Sequence, residues 1–259
     1  MNRLLTQLMR RSIMSSFILG TVLFSSCRSS YILTGIQGEK IEMSSVYDIQ
    51  PDRETTAILL PYKMKQDSVM NSIIGTSEKE LKPYRPESPL SNFAADVLKE
   101  GASDFTDKSI DMALTNMGGL RNTLSPGNIT VGDIFEIFPF ENHLCIVTLD
   151  GKTLNKLLEQ IAYLRGEGIS GPRMVITHEG KIKSVQLNGK NIEPGHLYTI
   201  ATLDYLAEGN DGMKAFLDAK DKECYEHATI RKIMLDYVNN QTKKGKIITS
   251  SVDGRIVIE

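Results

Sequence analysis

Metal-binding residues are scarce in this sequence and form no recognised pattern. Its 259 residues include four histidines and three cysteines. The histidines are scattered, and neither D-x-H nor H-E-x-x-H occurs. Because two-metal hydrolysis requires carboxylates, histidines and an asparagine around ions about 3.5–4 Å apart, we expect this chain to hold no metal. The G-x-S-x-G sequence of a serine nucleophile elbow is also missing.

The chain also lacks an excess of positive charge. Lysine and arginine number 30 against 32 acidic residues, and the formal net charge is −2. Arg3, Arg10 and Arg11 lie within the first 26 residues, which contain no acidic residue, so the remainder is more acidic still. Without a basic stripe to contact phosphates, we expect no nucleic-acid partner.

The apolar run near the N-terminus is short. Ile13–Phe24 follows two arginines and is too short to span a bilayer. It leads into Leu23–Cys27, which resembles the recognition box of bacterial lipoproteins, whose cysteine is lipidated after cleavage. Phe24 stands where leucine is more usual, and the alternative is an ordinary cleaved signal peptide with an incidental cysteine. We therefore expect residues 1–27 to form a lipoprotein signal peptide ending at Cys27.

Lipidation of Cys27 would anchor residues 28–259 to a membrane of the bacterial cell envelope, and we expect them on its periplasmic face. Only Cys145 and Cys224 would then remain to form a disulfide. Cys145 lies in an apolar segment that predicts a strand, whereas Cys224 lies in a polar segment that predicts a loop. Because buried free cysteine is common, we predict no disulfide between them.

Hydrophobic periodicity and turn residues predict a mixture of helices and strands. Predicted helices cover 52–74, a segment from Leu90 onward, 131–137 capped by Thr130, 154–164 capped by Thr153, and 228–238. Predicted strands cover 110–115, 143–149 and 197–203, with hairpins at 31–43, 174–185, 185–192 and 247–258 and a glycine-rich loop at 166–171. Since helices and strands do not alternate regularly, we predict an α+β fold rather than a doubly wound sheet.

Three stretches carry the residues most suited to binding a ligand. They are Thr115–Arg121, Phe138–Asn142 and Asp204–Gly212. Together they supply aromatic side chains, carboxylates, amides and an arginine behind a double glycine. These groups suit a flat heterocycle joined to a sugar, because aromatic faces stack on bases and carboxylates accept hydrogen bonds from hydroxyl groups.

From about Tyr31 to its end the chain resembles the C-terminal, substrate-binding domain of the 5′-nucleotidase family, which includes bacterial periplasmic UDP-sugar hydrolases and animal ecto-5′-nucleotidases. The family's asparagine, triple-glycine, hydrophobic and arginine motif corresponds to Asn116–Arg121, with Met117 in place of one glycine. The stretch Arg85–Asp96 also matches, and Ser170-Gly171 matches a serine-glycine pair beside the family's pocket. The resemblance implies one α+β domain over residues 28–259, built from mixed sheets with flanking helices.

The same resemblance implies roles for five of the aromatic, amide and acidic residues. Phe140 and Tyr205 would sandwich the nucleobase, at about 1–3 kcal/mol for each stacking contact. Asp211 follows Tyr205 by six residues and would accept hydrogen bonds from the ribose diol. Asn116 and Asn142 would contact the edge of the base.

Two arginines and two glycines complete the implied substrate site. Arg121 would face the phosphate or ribose, and Arg85 corresponds to a family arginine near the start of the domain. Gly118 and Gly119 would allow the ligand to approach the backbone closely. The structural alternatives are Phe140 as a core residue beside Pro139, Asp211 as a helix cap, Asn116 and Asn142 as turn residues, and Gly118-Gly119 as a strand-ending turn.

The resemblance covers only the binding half of the family's proteins. In those proteins a preceding metallophosphoesterase domain supplies two metal ions and the nucleophilic water, whereas here we expect only a signal peptide to precede the resemblance. We therefore predict the nucleotide- or nucleoside-binding component of a split 5′-nucleotidase that serves nucleotide catabolism, with no catalytic residue or cofactor of its own. A separately encoded metallophosphoesterase would carry the divalent metals. The alternatives are a non-catalytic nucleoside-binding receptor and a structural lipoprotein.

Overall fold

The computed structural model describes residues 33–36 and 38–259. The chain divides into two units, 1–53 and 54–259. Cys27 and the predicted signal peptide lie outside the described residues. Between 33 and 43, the described positions form no strand, so the hairpin predicted there is not seen, and a single 3-10 turn, Ser45–Asp48, follows. Across the described ranges, no helix is both long and apolar enough to cross a membrane.

The second unit contains nearly all of the regular structure. Its helices are α1 Arg53–Met70, which begins at the last residue of the first unit, α2 Pro89–Thr106, α3 Val131–Ile137, α4 Gly151–Tyr163, α5 Asp204–Ala207 and α6 Ile230–Lys243. Its strands are β1 Ile73–Ser77, β2 Met112–Thr115, β3 Gly127–Thr130, β4 His143–Asp150, β5 Gly168–Ser170, β6 Pro172–Ile176, β7 Ile182–Leu187, β8 Leu197–Leu203, β9 Asp221–Thr229 and β10 Ile256–Ile258.

The strands form three sheets, and the largest has the order β5-β2-β8-β4-β9. In this central sheet only β2 and β8 run parallel, whereas the other neighbours are antiparallel. A second sheet has the order β10-β6-β7, with β10 and β6 parallel, and β1 pairs with β3 in the third. These mixed sheets and their flanking helices confirm the predicted α+β fold.

Alternating side chains divide the core between the two faces of the central sheet. Ala113, Leu144 and Ala201 belong to an apolar cluster that includes buried residues of α2, α3 and α6. Leu114 and Ile200 belong to a second cluster, formed with α4 and the β10-β6-β7 sheet. The sheet is therefore covered on both faces, and a ligand has access at its edges.

One edge of the central sheet gathers four loops. The parallel strands β2 and β8 both end there, β2 before a loop that begins at Asn116 and β8 before the short helix α5, which begins at Asp204. Their antiparallel neighbours β4 and β5 begin at the same edge, after Asn142 and Glu167. This topology brings together the three stretches that the sequence analysis selected.

Several predicted boundaries differ from the structure. Helix α1 ends at Met70, and Ile73 and Ile74, predicted as helical, lie in β1 instead. The predicted loop 166–171 contains β5, because its backbone pairs with β2. Helix α4 is capped by the Asp150 side chain, which accepts the Thr153 N–H at 2.8 Å, so Thr153 is not the cap.

The C-terminal half also contains differences. Instead of a hairpin at 247–258, Ile248 bridges Ser77, and β10 pairs in parallel with β6. The second predicted hairpin reduces to one bridge between Leu187 and Lys190. Helix α6 begins only at Ile230, because the preceding residues extend β9.

The prediction that Cys145 and Cys224 do not form a disulfide was wrong. The two residues face each other across β4 and β9, and their sulfur atoms are bonded. Cys224 lies in a strand rather than a loop. Strand β9 is an edge strand whose residues are mostly exposed and polar. It therefore lacks the alternation of apolar and polar residues by which a half-buried strand is recognised from sequence.

Candidate functional site

Asp211 joins two of the predicted binding stretches. Its Oδ1 accepts a hydrogen bond from the Tyr205 hydroxyl at 2.9 Å, and its Oδ2 accepts one from Asn116 Nδ2 at 2.6 Å. Its backbone has φ 50° and ψ 29°, a left-handed conformation that aspartate adopts more readily than most residues. Asp211 is exposed, so these bonds hold an accessible carboxylate in place.

Asn116 contributes a buried oxygen that has no partner. The residue is 6% exposed and directly follows β2. Its Nδ2 donates to Asp211, while Oδ1 accepts no hydrogen bond from any described residue. Since buried acceptors are normally satisfied by protein, water or ligand, this amide oxygen is suited to a ligand donor.

The two glycines after Asn116 differ in how much room surrounds them. A Cβ atom on Gly119 would lie 2.7 Å from Asn116 Oδ1, closer than van der Waals contact permits. A Cβ atom on Gly118 would lie 3.7 Å from Asn116 Nδ2 and 3.9 Å from Asp211 Oδ2, which are ordinary distances. Gly119 is therefore required for the position of the Asn116 amide, whereas Gly118 leaves space beside Asp211.

A cleft of about 640 Å³ adjoins these residues, which is within the range of small-molecule sites. It is called the α4 cleft below, because helix α4 forms one wall. Its lining residues are Arg85, Gly118, Lys156, Glu159, Gln160, Tyr163, Leu164, Glu167, Asp211 and Gly212. Three predicted binding residues therefore line one cavity: Arg85, Gly118 and Asp211.

Glu167 is a buried carboxylate of the α4 cleft. Its Oε1 accepts a hydrogen bond from Arg85 Nη2 at 2.6 Å, and its Oε2 accepts the backbone N–H of Met117. Burial raises the pKa of Glu167 to about 7, and the nearby negative charge of Asp211 adds to the rise. The Met117 N–H and the charge of Arg85 oppose it. Arg85 also donates to the Gly166 carbonyl.

Arg121 and Phe140 lie together at the surface. The guanidinium carbon of Arg121 is 5.9 Å from the centre of the Phe140 ring, within the range of a cation–π contact. Arg121 Nη1 also donates to the Gly118 carbonyl at 3.2 Å. Phe140 is 48% exposed, unlike its buried neighbour Phe138, so the alternative of a core residue does not describe it.

Arg231 of α6 holds the loop that carries Phe140. Its Nε donates to the Phe138 carbonyl at 3.0 Å, and its Nη2 donates to the Pro139 carbonyl at 2.7 Å. Its guanidinium carbon also lies 4.2 Å from the centre of the Phe135 ring. Arg231 was not among the predicted site residues, because nothing in its own segment distinguishes it from an arginine on a solvated helix face.

Tyr205 lies in helix α5 and Asn142 lies directly before β4, and the residues next to them, Asp204 and His143, are in contact. Tyr205 is 39% exposed, and its N–H donates to Asp204 Oδ1. Asp204 Oδ2 lies 3.0 Å from Nδ1 of His143. His143 directly follows Asn142, which is half-buried. Neither Phe140 nor Tyr205 lines the α4 cleft, and their pairing as a base sandwich stays a prediction.

The matching stretch Arg85–Asp96 has a mainly structural role after its first residue. The buried carboxylate of Glu87 accepts the backbone N–H groups of Asp253 and Arg255, each at 2.8 Å. Arg255 in turn donates twice to Asp96, at 2.8 and 2.7 Å. Ser170 binds Asp96 rather than lining the α4 cleft.

The described side chains form no metal-binding cluster. Among them, no three histidine, cysteine, aspartate or glutamate residues are grouped so that they could hold an ion.

Comparison with known proteins places this fold and site in a family. Residues 73–218 match the family described as 5′-nucleotidase, C-terminal domain. The chain belongs to this family, and the match extends over the sheet-edge loops and the residues of the α4 cleft.

Curated relatives cover most of this chain but are much longer. The cell wall protein Lmo0130 of Listeria monocytogenes is 28% identical over 236 residues, which cover 81% of this chain and 30% of that protein. The trifunctional nucleotide phosphoesterase protein YfkN of Bacillus subtilis is 27% identical, covering 75% of this chain and 14% of its own length. The chain thus spans less than a third of either relative.

A solved structure supports the fold assignment. The 5′-nucleotidase precursor from Thermus thermophilus superimposes with a TM-score of 0.68 at 23% sequence identity. The superposition covers 79% of this chain and 43% of that one. The similarity extends through most of the α+β unit.

Proposed function

We propose that this chain binds the nucleoside part of a nucleotide and acts as the binding component of a split 5′-nucleotidase. The geometry of Asp211 carries the proposal: Asn116 and Tyr205 hold its exposed carboxylate at the α4 cleft, beside the space left by Gly118. A carboxylate held in this way can accept both hydroxyl groups of a ribose. Membership of the family of nucleotidase C-terminal domains supports this assignment.

In this proposal the other loops bind the base. Phe140 and Tyr205 offer exposed rings for stacking, and the free Asn116 oxygen accepts a hydrogen bond from the ligand. Arg121, next to the Phe140 ring, faces the ribose or phosphate. Asn142 contacts the base edge from the start of β4.

A separate metallophosphoesterase would hold the divalent metals and cleave the phosphoester in the proposed complex. The nucleotide phosphoesterase name of the Bacillus subtilis relative supports this chemistry, and its much greater length leaves room for such a domain. In this chain the binding groups would orient the nucleoside, so that the scissile bond faces the partner.

We further propose that the domain works in the bacterial cell envelope, with Cys27 lipidated as its anchor. The Cys145–Cys224 disulfide supports an oxidising compartment. The cell wall protein among the relatives supports the same location.

Calorimetric titration with adenosine tests the binding proposal. Two stacking contacts and charged hydrogen bonds, set against the cost of association, leave only weak binding, with a Kd between tens of micromolar and about 1 mM. Asp211→Asn should weaken binding at least tenfold, because the amide offers only one acceptor oxygen. Asp236→Asn removes the same charge from an exposed α6 position and should leave the Kd unchanged.

Two outcomes would contradict parts of the proposal. The absence of a saturable signal at millimolar adenosine would exclude nucleoside binding. A submicromolar Kd without any partner would instead favour a receptor. For the split enzyme, phosphate release from AMP with Mn²⁺ should require an added metallophosphoesterase, and chelator-sensitive release by the purified chain alone would overturn it.

A further inference from the structure

The α4 cleft contains an ion pair whose two members differ in exposure. The Arg85 side chain is 36% exposed and faces the cavity, whereas the Glu167 side chain is 1% exposed. They meet through Arg85 Nη2 and Glu167 Oε1 at 2.6 Å. A ligand can therefore reach the Arg85 guanidinium directly, whereas the Glu167 carboxylate behind it is almost completely covered.

The charges of the cleft do not favour an anion while Glu167 is ionised. Arg85 and Lys156 are the lining cations, and Glu159, Glu167 and Asp211 are the lining carboxylates. Lys156 also lies 3.5 Å from Asp218 outside the cleft lining. Arg85 is thus compensated by its own buried partner, and an entering phosphate would have to compete with Glu167 for it.

We propose that Glu167 determines specificity in the α4 cleft: its carboxylate occupies Arg85 and disfavours ligands with an anionic 5′ group, and taking up one proton releases Arg85 to bind that group. This inference rests on the proposed nucleoside site. It assigns to the site a preference between uncharged nucleosides and their anionic 5′ esters. The proton comes from solvent and resides on a Glu167 carboxylate oxygen.

The surroundings of Glu167 place this exchange near neutral pH. Burial is the main reason that its pKa is raised to about 7, and Asp211 raises it further. Arg85 and the Met117 N–H favour the ionised form. An anion bound to Arg85 would add negative charge close to Glu167, so anion binding and proton uptake reinforce each other.

Adenosine 5′-sulfate and adenosine are suitable probes, because a sulfate ester keeps one negative charge throughout the pH range. We expect the association constant for adenosine 5′-sulfate, divided by that for adenosine, to rise almost tenfold as the pH falls from 8.5 to 7.5. This ratio should level off below pH 6. In Glu167→Gln the ratio should be high and independent of pH. Arg85→Gln should remove the extra affinity for the sulfate at every pH.

Glu159→Gln provides the matched control, because it removes an exposed carboxylate from the same cleft. It should keep the pH dependence of the ratio. A constant ratio in the unmodified protein, or the same pH dependence in folded Glu167→Gln, would overturn the inference. Adenosine binding by itself reports on the proposed function, so failure of the two ideas can be distinguished.

Proton uptake by the unmodified protein gives a second test that needs no variant. Calorimetry at pH 7.5 in two buffers of different ionisation enthalpy measures the protons bound with each ligand. We expect uptake of more than half a proton with adenosine 5′-sulfate and almost none with adenosine. Equal uptake with both ligands would contradict the role of Glu167.

Discussion

The hydroxyl group of Tyr205 donates a hydrogen bond to the carboxylate of Asp211, six residues further along the chain. Asn116 donates to the other oxygen of the same carboxylate. Asn116 belongs to the loop after β2 and Tyr205 belongs to helix α5, so two separate segments of the chain fix the Asp211 carboxylate. A ligand diol would meet an oriented acceptor rather than a mobile side chain.

Tyr205 offers a prediction that separates its ring from its hydroxyl. Tyr205→Ala should weaken adenosine binding by about 1–3 kcal/mol, because a stacking surface is lost. Tyr205→Phe keeps the ring and should bind adenosine within threefold of the unmodified protein. Calorimetric titration measures both, and equal losses in the two variants would show that the hydroxyl group, not the ring, contributes the affinity.

The neighbouring glycines provide a matched pair of substitutions. Gly119→Ala would place Cβ 2.7 Å from Asn116 Oδ1 and displace the amide from Asp211. We expect at least a tenfold loss of adenosine affinity, measured by the same titration. Gly118→Ala meets no atom closer than 3.7 Å and should keep the free energy of unfolding of the parent. A Gly119→Ala variant with unchanged affinity would argue against a role for Asn116.

Glu167 makes stability depend on pH. Its folded pKa, about 7, is above the ordinary value of 4.5, so protonation favours the folded state. The resulting stability is fully present below pH 4.5 and is lost as pH rises to 7, to a total of about 3 kcal/mol. Glu167→Gln should therefore equal the parent at pH 4.5 and exceed its unfolding free energy by up to about 3 kcal/mol at pH 8.

Urea unfolding at a series of pH values measures this difference. Glu159→Gln, at an exposed position of the same cleft, should follow the parent at every pH. If the parent were the more stable protein at pH 8, the ion pair with Arg85 would outweigh the cost of burying the carboxylate.

The disulfide gives a prediction about the edge of the central sheet. Cys145 and Cys224 are 79 residues apart, so their bond restricts a long segment of the unfolded chain. Cys224→Ser, at an exposed position, should lower the free energy of unfolding by about 2–5 kcal/mol. Reductant should destabilise the parent equally and leave the variant unchanged. No effect of reductant on the parent would contradict the bond.

Local signals predicted much of this structure. Helix α3 begins and ends as predicted, because the capping box of Thr130 and Asp133 is contained within four residues. Strand β8 also has its predicted bounds. In both segments, the residues that determine the element are close together in sequence.

Pairing between distant segments escaped the sequence analysis. Nothing near Cys224 indicates its partner on β4, and nothing near Glu167 indicates Arg85, which precedes it by 82 residues. Strand β10 pairs in parallel with β6, and the backbone N–H of Arg255 directly before it donates to Glu87, also far away in the sequence. Such contacts are selected by tertiary packing, so the pattern of a single segment cannot specify them.

The hydrogen bonds that Glu87 accepts from the backbone of Asp253 and Arg255 have a practical consequence for engineering this protein. Trimming the chain before those residues would remove the backbone donors of the buried Glu87 carboxylate, and a buried acceptor left without partners is destabilising. Affinity handles and fluorescent fusions should therefore leave Asp253, Arg255 and the strand Ile256–Ile258 whole.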